Sequence, residues 1–93
     1  MLTLDAVLQI PTYVLFTLLG NDAVLVNVRT NHYFSLDEVG ARLWDLLSKE
    51  KPLREVYHAL LDEYGVDPAQ LEQDILELIN LLEENGLVEV VQR

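Results

Sequence analysis

Few residues of this 93-residue chain could do catalytic chemistry, and their spacing does not bring them together. His32 and His58 are the two histidines, and they lack the i, i+4 spacing that would place both on one face of a helix. The chain has no cysteine, which excludes a thiolate nucleophile, a thiolate metal site and a disulfide. Ser35 lies just before a predicted helix, where a hydroxyl usually acts as a cap. We therefore expect no catalytic residue and no metal site.

The other polar residues predict a binding protein. The four glycines are isolated, so the chain has no glycine-rich loop for a phosphate. The adjacent carboxylates at 62–63 and 83–84 fall near predicted helix ends and exposed faces, where charged side chains are usually solvated. We predict that the protein is not an enzyme and has no cofactor.

The composition predicts one small acidic domain. There are 16 acidic and 6 basic residues, which give a formal net charge of -10. Because nucleic acids and anionic membrane surfaces attract basic proteins, we expect neither as a partner. No apolar run approaches the roughly 20 residues of a membrane span, and the first ten residues lack the basic group of a secretory signal. The absence of cysteine fits a reducing compartment. We expect a single cytoplasmic domain over residues 1–93.

The first half of the chain has the patterns of β-strands. Its first ten residues alternate apolar and polar side chains, and Pro11 ends that run or places it at a sheet edge. The turn sequence Gly20-Asn21-Asp22 predicts a hairpin, and Thr30-Asn31 predicts another turn. We expect an N-terminal antiparallel three-stranded β-meander. The strand patterns cover residues 2–10, 12–19, 23–28 and 32–35.

The second half has apolar residues at helical spacing and predicts three helices. Asp37 can cap the first helix, although Ser35 with Glu38 also fits the capping-box spacing. Gly65 is placed to end the second helix, and Asp67-Pro68 is a cap followed by proline at the first helical position. The three apolar stripes are Val39, Leu43, Leu46 and Leu47; Leu53, Val56, Tyr57, Leu60 and Tyr64; and Leu71, Ile75, Leu78, Ile79 and Leu82.

The order of these elements predicts the fold class. The third helix runs to about Glu84, and residues 87–91 then predict a closing strand or tail. Helix, helix, short glycine turn, helix and β element is the order of a winged helix-turn-helix. We therefore predict an α+β fold, a winged helix-turn-helix with an N-terminal three-stranded meander followed by three helices.

The residue composition of the third predicted helix distinguishes between DNA and protein as the partner. A DNA reader places basic and amide side chains of this helix in the major groove. Residues 67–84 contain no Lys or Arg, and four acidic residues in its first half would face phosphates. Two glutamines could read a base edge, but the repulsion outweighs them. We therefore expect a protein partner.

The short strand at 32–35 is the predicted binding element. As the last strand of the meander it is expected to be an edge, whose open N–H and C=O groups another chain can pair with. Tyr33 and Phe34 alternate, so one ring should enter the core and the other should face the opposite side. Leu76 and Leu81 lie off the main stripe of the third helix, where each is either an extra core contact or the floor of an apolar groove. The alternative is an assembly module whose edge pairs with itself or with an enzyme subunit.

Two motifs resemble the PqqD-like family. Leu36-Asp37-x-x-Gly40-x-x-Leu43-Trp44 is similar to the pattern Leu-Asn-x-x-Gly/Ala-x-x-Ile-Trp of that family. Residues 74–87, with Asp74-Ile75, Leu78, Leu82 and Gly86-Leu87, resemble its closing helix and tail. The resemblance covers about residues 24–90. The chain departs from the family at Asp37, where asparagine is usual, and at 49–51, where an Asp-Gly turn is common.

The resemblance implies a RiPP recognition element, a domain that binds the leader segment of a ribosomally made precursor peptide. In this family the leader adds as an antiparallel strand to the third β-strand and packs against the third helix. Residues 26–44 look most like the standalone proteins of lasso-peptide biosynthesis, which work with a transglutaminase-like leader peptidase and an asparagine-synthetase-like cyclase. A PqqD-type peptide chaperone for a radical SAM enzyme is the alternative within the family. The implied peptide-binding residues are Asn31, His32, Tyr33, Phe34, Ser35, Asp74, Ile75, Leu78, Leu81 and Leu82.

Overall fold

A computed structural model describes residues 2–92, which form an α+β fold with N-terminal antiparallel strands and three helices. The element bounds agree with most of the predicted segments to within two residues. In chain order the elements are β1 (Val7–Gln9), β2 (Val14–Leu19), β3 (Asp22–Asn27), β4 (His32–Leu36), α1 (Glu38–Ser48), α2 (Leu53–Tyr64), α3 (Pro68–Glu84) and β5 (Glu89–Gln92).

The predicted three-stranded meander is confirmed. Strands β2, β3 and β4 form one antiparallel sheet in that order. A two-residue turn at Gly20-Asn21 joins the first pair, with Leu19 opposite Asp22. Because β3 lies between the other two strands, β4 has one side that faces away from the sheet.

The N-terminal arm does not join this meander. The alternation over residues 2–10 predicted a strand there, but only β1 is a strand, and it pairs antiparallel with β5 in a separate two-stranded sheet. Leu2, Leu4 and Ala6 are nevertheless buried. Their alternation therefore reflects burial of one side of an irregular arm, which does not require ladder hydrogen bonds. Within residues 2–92, the arm pairs with β5 and does not pair with β4.

The helix ends are formed as predicted. The Oδ1 atom of Asp37 accepts a hydrogen bond from the Gly40 N–H at 2.8 Å, and Ser35 lies inside β4. Asp67 caps α3 through the Ala69 N–H at 3.2 Å. Gly40 packs closely against the preceding side chains, because an added Cβ would lie 3.2 Å from Leu36 Cδ2. These contacts fix the corner where β4 enters α1.

The hydrophobic core lies between the meander and the helices. Helix α1 packs on β3 and β4, and α2 packs on both α1 and α3. This arrangement holds β4 and α3 on either side of the first two helices, with a depression between them. The core side chains at 0% exposure are Leu25, Val56, Leu60, Ile79 and Leu82.

One buried polar side chain ties the turn before β4 to the end of α3. Asn27 is 3% exposed, and its Nδ2 donates to the Gly86 carbonyl at 3.1 Å. Its Oδ1 accepts from the Arg29 and Thr30 N–H groups at 3.0 and 3.3 Å. Both ends of the amide are therefore used, and the loop leading into β4 has a fixed conformation.

We expect Asn27→Ala to lower the free energy of unfolding by about 1–3 kcal/mol, because it leaves these backbone groups without their partner. Urea denaturation measures the change. Asn80→Ala is the control, since Asn80 is exposed on α3, and we expect a change within about 0.5 kcal/mol. Equal changes in the two variants would contradict the bridging role of Asn27.

Candidate functional site

The backbone of β4 has one paired side and one open side. Strand β3 pairs with it in regular register, with Leu25 opposite Phe34 and Val26 opposite Tyr33. Within residues 2–92, no other strand pairs with β4. The open side is therefore available to another extended chain.

The hydrogen bonds of the sheet identify which groups face that open side. In an antiparallel sheet, alternate residues direct their N–H and C=O groups to opposite sides. Val28, just after β3, donates its N–H to the carbonyl of the residue before β2 at 3.0 Å, so Leu25 directs its groups to β4. Phe34, opposite Leu25, then points back to β3. It follows that the N–H and C=O groups of Tyr33 and Ser35 face outward.

The two aromatic rings of β4 lie on opposite faces of the sheet, as their alternation predicted. Phe34 is half-buried and packs against the core, on the face that carries Leu25. Tyr33 is 73% exposed on the other face, beside Val26 and Leu15. The ring of Phe34 is therefore the one on the helix side of the sheet.

A groove of about 660 Å³ lies between β4, the start of α1 and the first half of α3. Phe34 forms one wall, the buried Ile75 lies on the side of α3, and Leu60 of α2 lies below. Most of the lining is apolar, which suits the side chains of a bound peptide. The lining residues are Phe34, Ser35, Leu36, Asp37, Val39, Gly40, Leu43, Leu60, Tyr64, Val66, Asp67, Gln70, Leu71, Asp74, Ile75 and Leu78.

Half of the predicted peptide-binding residues line this groove. They come from two elements that are far apart in sequence, β4 and α3. Bringing these two elements together is what the fold contributes to the site. The lining residues among those predicted are Phe34, Ser35, Asp74, Ile75 and Leu78.

The structure places the other predicted residues elsewhere. His32 and Tyr33 lie on β4 outside the groove. Asn31 precedes the strand with a left-handed φ of 59° and donates its N–H to the Asn27 carbonyl at 2.8 Å. Leu81 is 47% exposed and Leu82 is 0% exposed, and neither lines the groove. Helical spacing predicts a stripe but does not separate the part that faces the core from the part that faces the groove.

Several lining residues were not predicted. Gln70 and Leu71 lie one turn before Asp74 and Ile75, so extending the same stripe toward the start of α3 would have found them. Val66 lies in the turn between α2 and α3, where no periodic pattern exists. Leu76 and Leu81, the two residues off the stripe, do not reach the groove.

The charged side chains that line the groove are acidic. Asp37, Asp67 and Asp74 line it, and no lysine, arginine or histidine does so among the residues that the structure describes. All three carboxylates are exposed at its border. A ligand in this groove therefore meets apolar walls and a negative border.

The phenol of Tyr64 lies in the same negative environment. Burial raises the pKa of Tyr64, and the charges of Glu38, Glu63 and Asp37 raise it further, against the effect of Arg42. The phenol of Tyr64 therefore stays protonated at neutral pH and keeps its O–H as a hydrogen-bond donor.

The open strand edge beside an apolar groove suits the binding of an extended chain. Across residues 2–92, no cluster of three or more His, Cys, Asp or Glu residues is placed to hold a metal ion. No helix in this range is long and apolar enough to cross a membrane. A second depression of about 950 Å³ lies between the N-terminal arm and the start of α2, where Arg54 pairs with Asp5 at 3.0 Å. It is larger and more polar than the groove beside β4.

Comparison with known proteins assigns the family. The model of the family of coenzyme PQQ synthesis protein D (PqqD) matches residues 22–88, which include β4 and all three helices. The chain belongs to the PqqD family. The resemblance predicted from the two motifs is therefore confirmed, and its extent is close to the predicted residues 24–90.

Two solved structures are similar to this PqqD-family protein over most of its length. TbiB1 in complex with the TbiA(beta) leader peptide is 33% identical, with a TM-score of 0.82, and the match covers 87% of this chain and 94% of that one. A lasso peptide synthetase B1 complexed with its leader peptide is 25% identical, with a TM-score of 0.80 and coverage of 90% and 99%. No curated protein matches the chain.

Proposed function

We propose that this PqqD-family protein binds the leader segment of a ribosomally synthesised precursor peptide in lasso-peptide biosynthesis. The observation that carries the proposal is the open edge of β4 beside an apolar groove. Its two solved relatives are complexes with leader peptides, which supports a leader peptide as the occupant. The domain thus acts as a RiPP recognition element.

The bound leader extends the meander as a fourth, antiparallel strand. Its backbone pairs with the outward N–H and C=O groups of Tyr33 and Ser35. The leader residue opposite Phe34 then forms a non-hydrogen-bonded pair, with a Cα separation of about 4.5 Å, and its side chain points into the groove. Its two neighbours point to the outer face, beside Tyr33 and Ser35. Every second leader residue along this strand therefore directs its side chain into the groove.

Leu78→Ala and Leu81→Ala test this placement as a matched pair on α3. Leu78 lines the groove, whereas Leu81 is exposed outside it. We expect Leu78→Ala to weaken leader binding by about 1 kcal/mol or more, about fivefold. Leu81→Ala should leave the affinity within about twofold. Calorimetry with the TbiA(beta) leader and the leader encoded nearest this gene provides the measurement, and equal losses in both variants would remove the groove from the binding site.

We further propose that the protein presents the leader to a transglutaminase-like leader peptidase and to an asparagine-synthetase-like cyclase, and that it has no enzymatic activity of its own. The outer face of the meander, with Leu15, Leu19 and Tyr33 exposed, supports contact with such a partner. The expected result is that the isolated domain leaves a precursor peptide intact and accelerates its cleavage by the peptidase. Cleavage by the domain alone would contradict the proposal. We also propose that residues 1–93 form a single domain that acts in the cytoplasm.

A PqqD-type chaperone for a radical SAM enzyme is a second candidate, which the family match favours. Binding of the precursor of the quinone cofactor in preference to lasso leaders would support it. A general assembly module is tested by sedimentation, where a tight homodimer without any response to leader peptide would support it.

For the fold, we propose that α1, α2, α3 and β5 are the winged helix-turn-helix portion, because their order is that of this motif.

A further inference from the structure

We propose that the leader segment bound in the groove carries a lysine or arginine that pairs with an acidic rim formed by Asp37, Asp67 and Asp74. This inference rests on the proposed function, and it specifies in addition that the bound leader segment carries a positive charge. The rim lies on both sides of the groove, since Asp37 comes from the corner after β4 whereas Asp67 and Asp74 come from the side of α3.

Each rim carboxylate has an oxygen free to bind a cation. Asp37 and Asp67 each use Oδ1 to accept a backbone N–H, at 2.8 and 3.2 Å, and Asp74 uses Oδ1 to accept from Gln70 Nε2 at 2.8 Å. Their Oδ2 atoms have no hydrogen bond or ion pair with residues 2–92. These hydrogen bonds also orient the carboxylates, so a bound cation meets prepositioned acceptors.

No basic side chain within residues 2–92 forms an ion pair with Asp37, Asp67 or Asp74. Arg42, whose charge lowers the pKa of Tyr64, forms ion pairs with two carboxylates outside the rim. Its Nε lies 2.9 Å from Glu63 and its Nη1 lies 2.7 Å from Asp45. The hydrogen bond that Arg42 donates to Glu63 raises the pKa of Arg42, which therefore stays charged and paired. The groove is left with the negative potential of a chain whose formal net charge is -10.

The shape of the groove favours the side chains that match this potential. A lysine or arginine can lay its aliphatic stem on apolar walls such as Leu78 and Val66 and extend its charged end to the rim. A glutamate at the same place would bring a like charge next to the rim carboxylates. Because the walls are apolar, these charges are less screened than on an open surface. The rim therefore selects leaders by charge, whereas the groove selects them by apolar fit.

Synthetic variants of the TbiA(beta) leader test the inference. Lysine, glutamine and glutamate are placed in turn at each position, and the affinity of each peptide is measured by fluorescence anisotropy at low and high salt. We expect at least one position at which lysine binds about fivefold tighter than glutamine, with glutamate weaker still. High salt should reduce that difference, because the three rim carboxylates are exposed to solvent.

A variant with asparagine at all three rim positions provides the decisive comparison. Asparagine caps a helix as well as aspartate does, so Asp37→Asn, Asp67→Asn and Asp74→Asn together should keep the fold. A control variant with Asp22→Asn, Glu55→Gln and Glu72→Gln has the same change of net charge at exposed positions outside the groove. We expect the lysine preference to disappear in the rim variant and to remain in the control.

The outcomes separate this inference from the proposed function. Binding of the peptides with no difference between lysine, glutamine and glutamate at any position would overturn charge selection and leave leader binding in place. A lysine preference that survives in the rim variant would also overturn it. Failure of every peptide to bind would overturn the proposed function, and this inference with it.

Discussion

Ser35→Pro is expected to weaken leader binding by about 2 kcal/mol or more, which is about 30-fold. The Ser35 N–H faces the open side of β4, so proline removes a donor that the leader uses and places its ring in the path of the added strand. Because this N–H does not pair with β3, the sheet itself keeps its hydrogen bonds, as edge strands with proline generally do. Calorimetry with the TbiA(beta) leader measures the loss.

Two controls make this result specific to the edge of β4. Ser35→Ala keeps the N–H and should bind as tightly as the unchanged protein. Leu18→Pro introduces the same residue at an outward-facing position of β2, the opposite edge of the same sheet. Circular dichroism establishes that each variant is folded. Normal binding by Ser35→Pro, or an equal loss in Leu18→Pro, would contradict strand addition to β4.

Leu82→Ala is expected to lower the free energy of unfolding by about 2–5 kcal/mol, because a fully buried leucine leaves a cavity when truncated. Leu82 is 0% exposed, and it does not line the groove. The folded fraction of this variant should therefore bind leader peptide with unchanged affinity. Urea denaturation and calorimetry together separate the two effects.

Leu81→Ala is the neighbouring control for this prediction. Leu81 is 47% exposed, so the same truncation should change the free energy of unfolding by less than about 1 kcal/mol. A Leu82→Ala variant with normal stability and reduced affinity would place Leu82 in the binding site and would contradict its position in the core.

The helix ends and the hairpin turn were predictable from sequence because each depends on local residues. The caps at Asp37 and Asp67 and the left-handed end of α2 at Gly65 each depend on a few neighbouring residues. The hairpin turn at Gly20-Asn21 depends only on its own sequence. The element order and the prediction of an open edge at β4 follow from these signals.

Contacts between distant segments were not predictable in the same way. Pairing of β1 with β5 joins the two ends of the chain, and no local pattern specifies which strand an alternating segment will choose. The bridge from Asn27 to the Gly86 carbonyl spans the sheet and the end of α3. The groove was not predictable from local sequence either, because Phe34, Leu60 and Ile75 come together only in the folded chain.

Amide hydrogen exchange of β4, with and without leader peptide, tests strand addition most directly. In the free protein, the Phe34 amide should be protected by β3, whereas the Tyr33 and Ser35 amides should exchange quickly at the open side. Saturation with the leader should slow exchange at Tyr33 and Ser35 and change Phe34 little. Fast exchange at both Tyr33 and Ser35 in the saturated complex would contradict the proposed mode of binding.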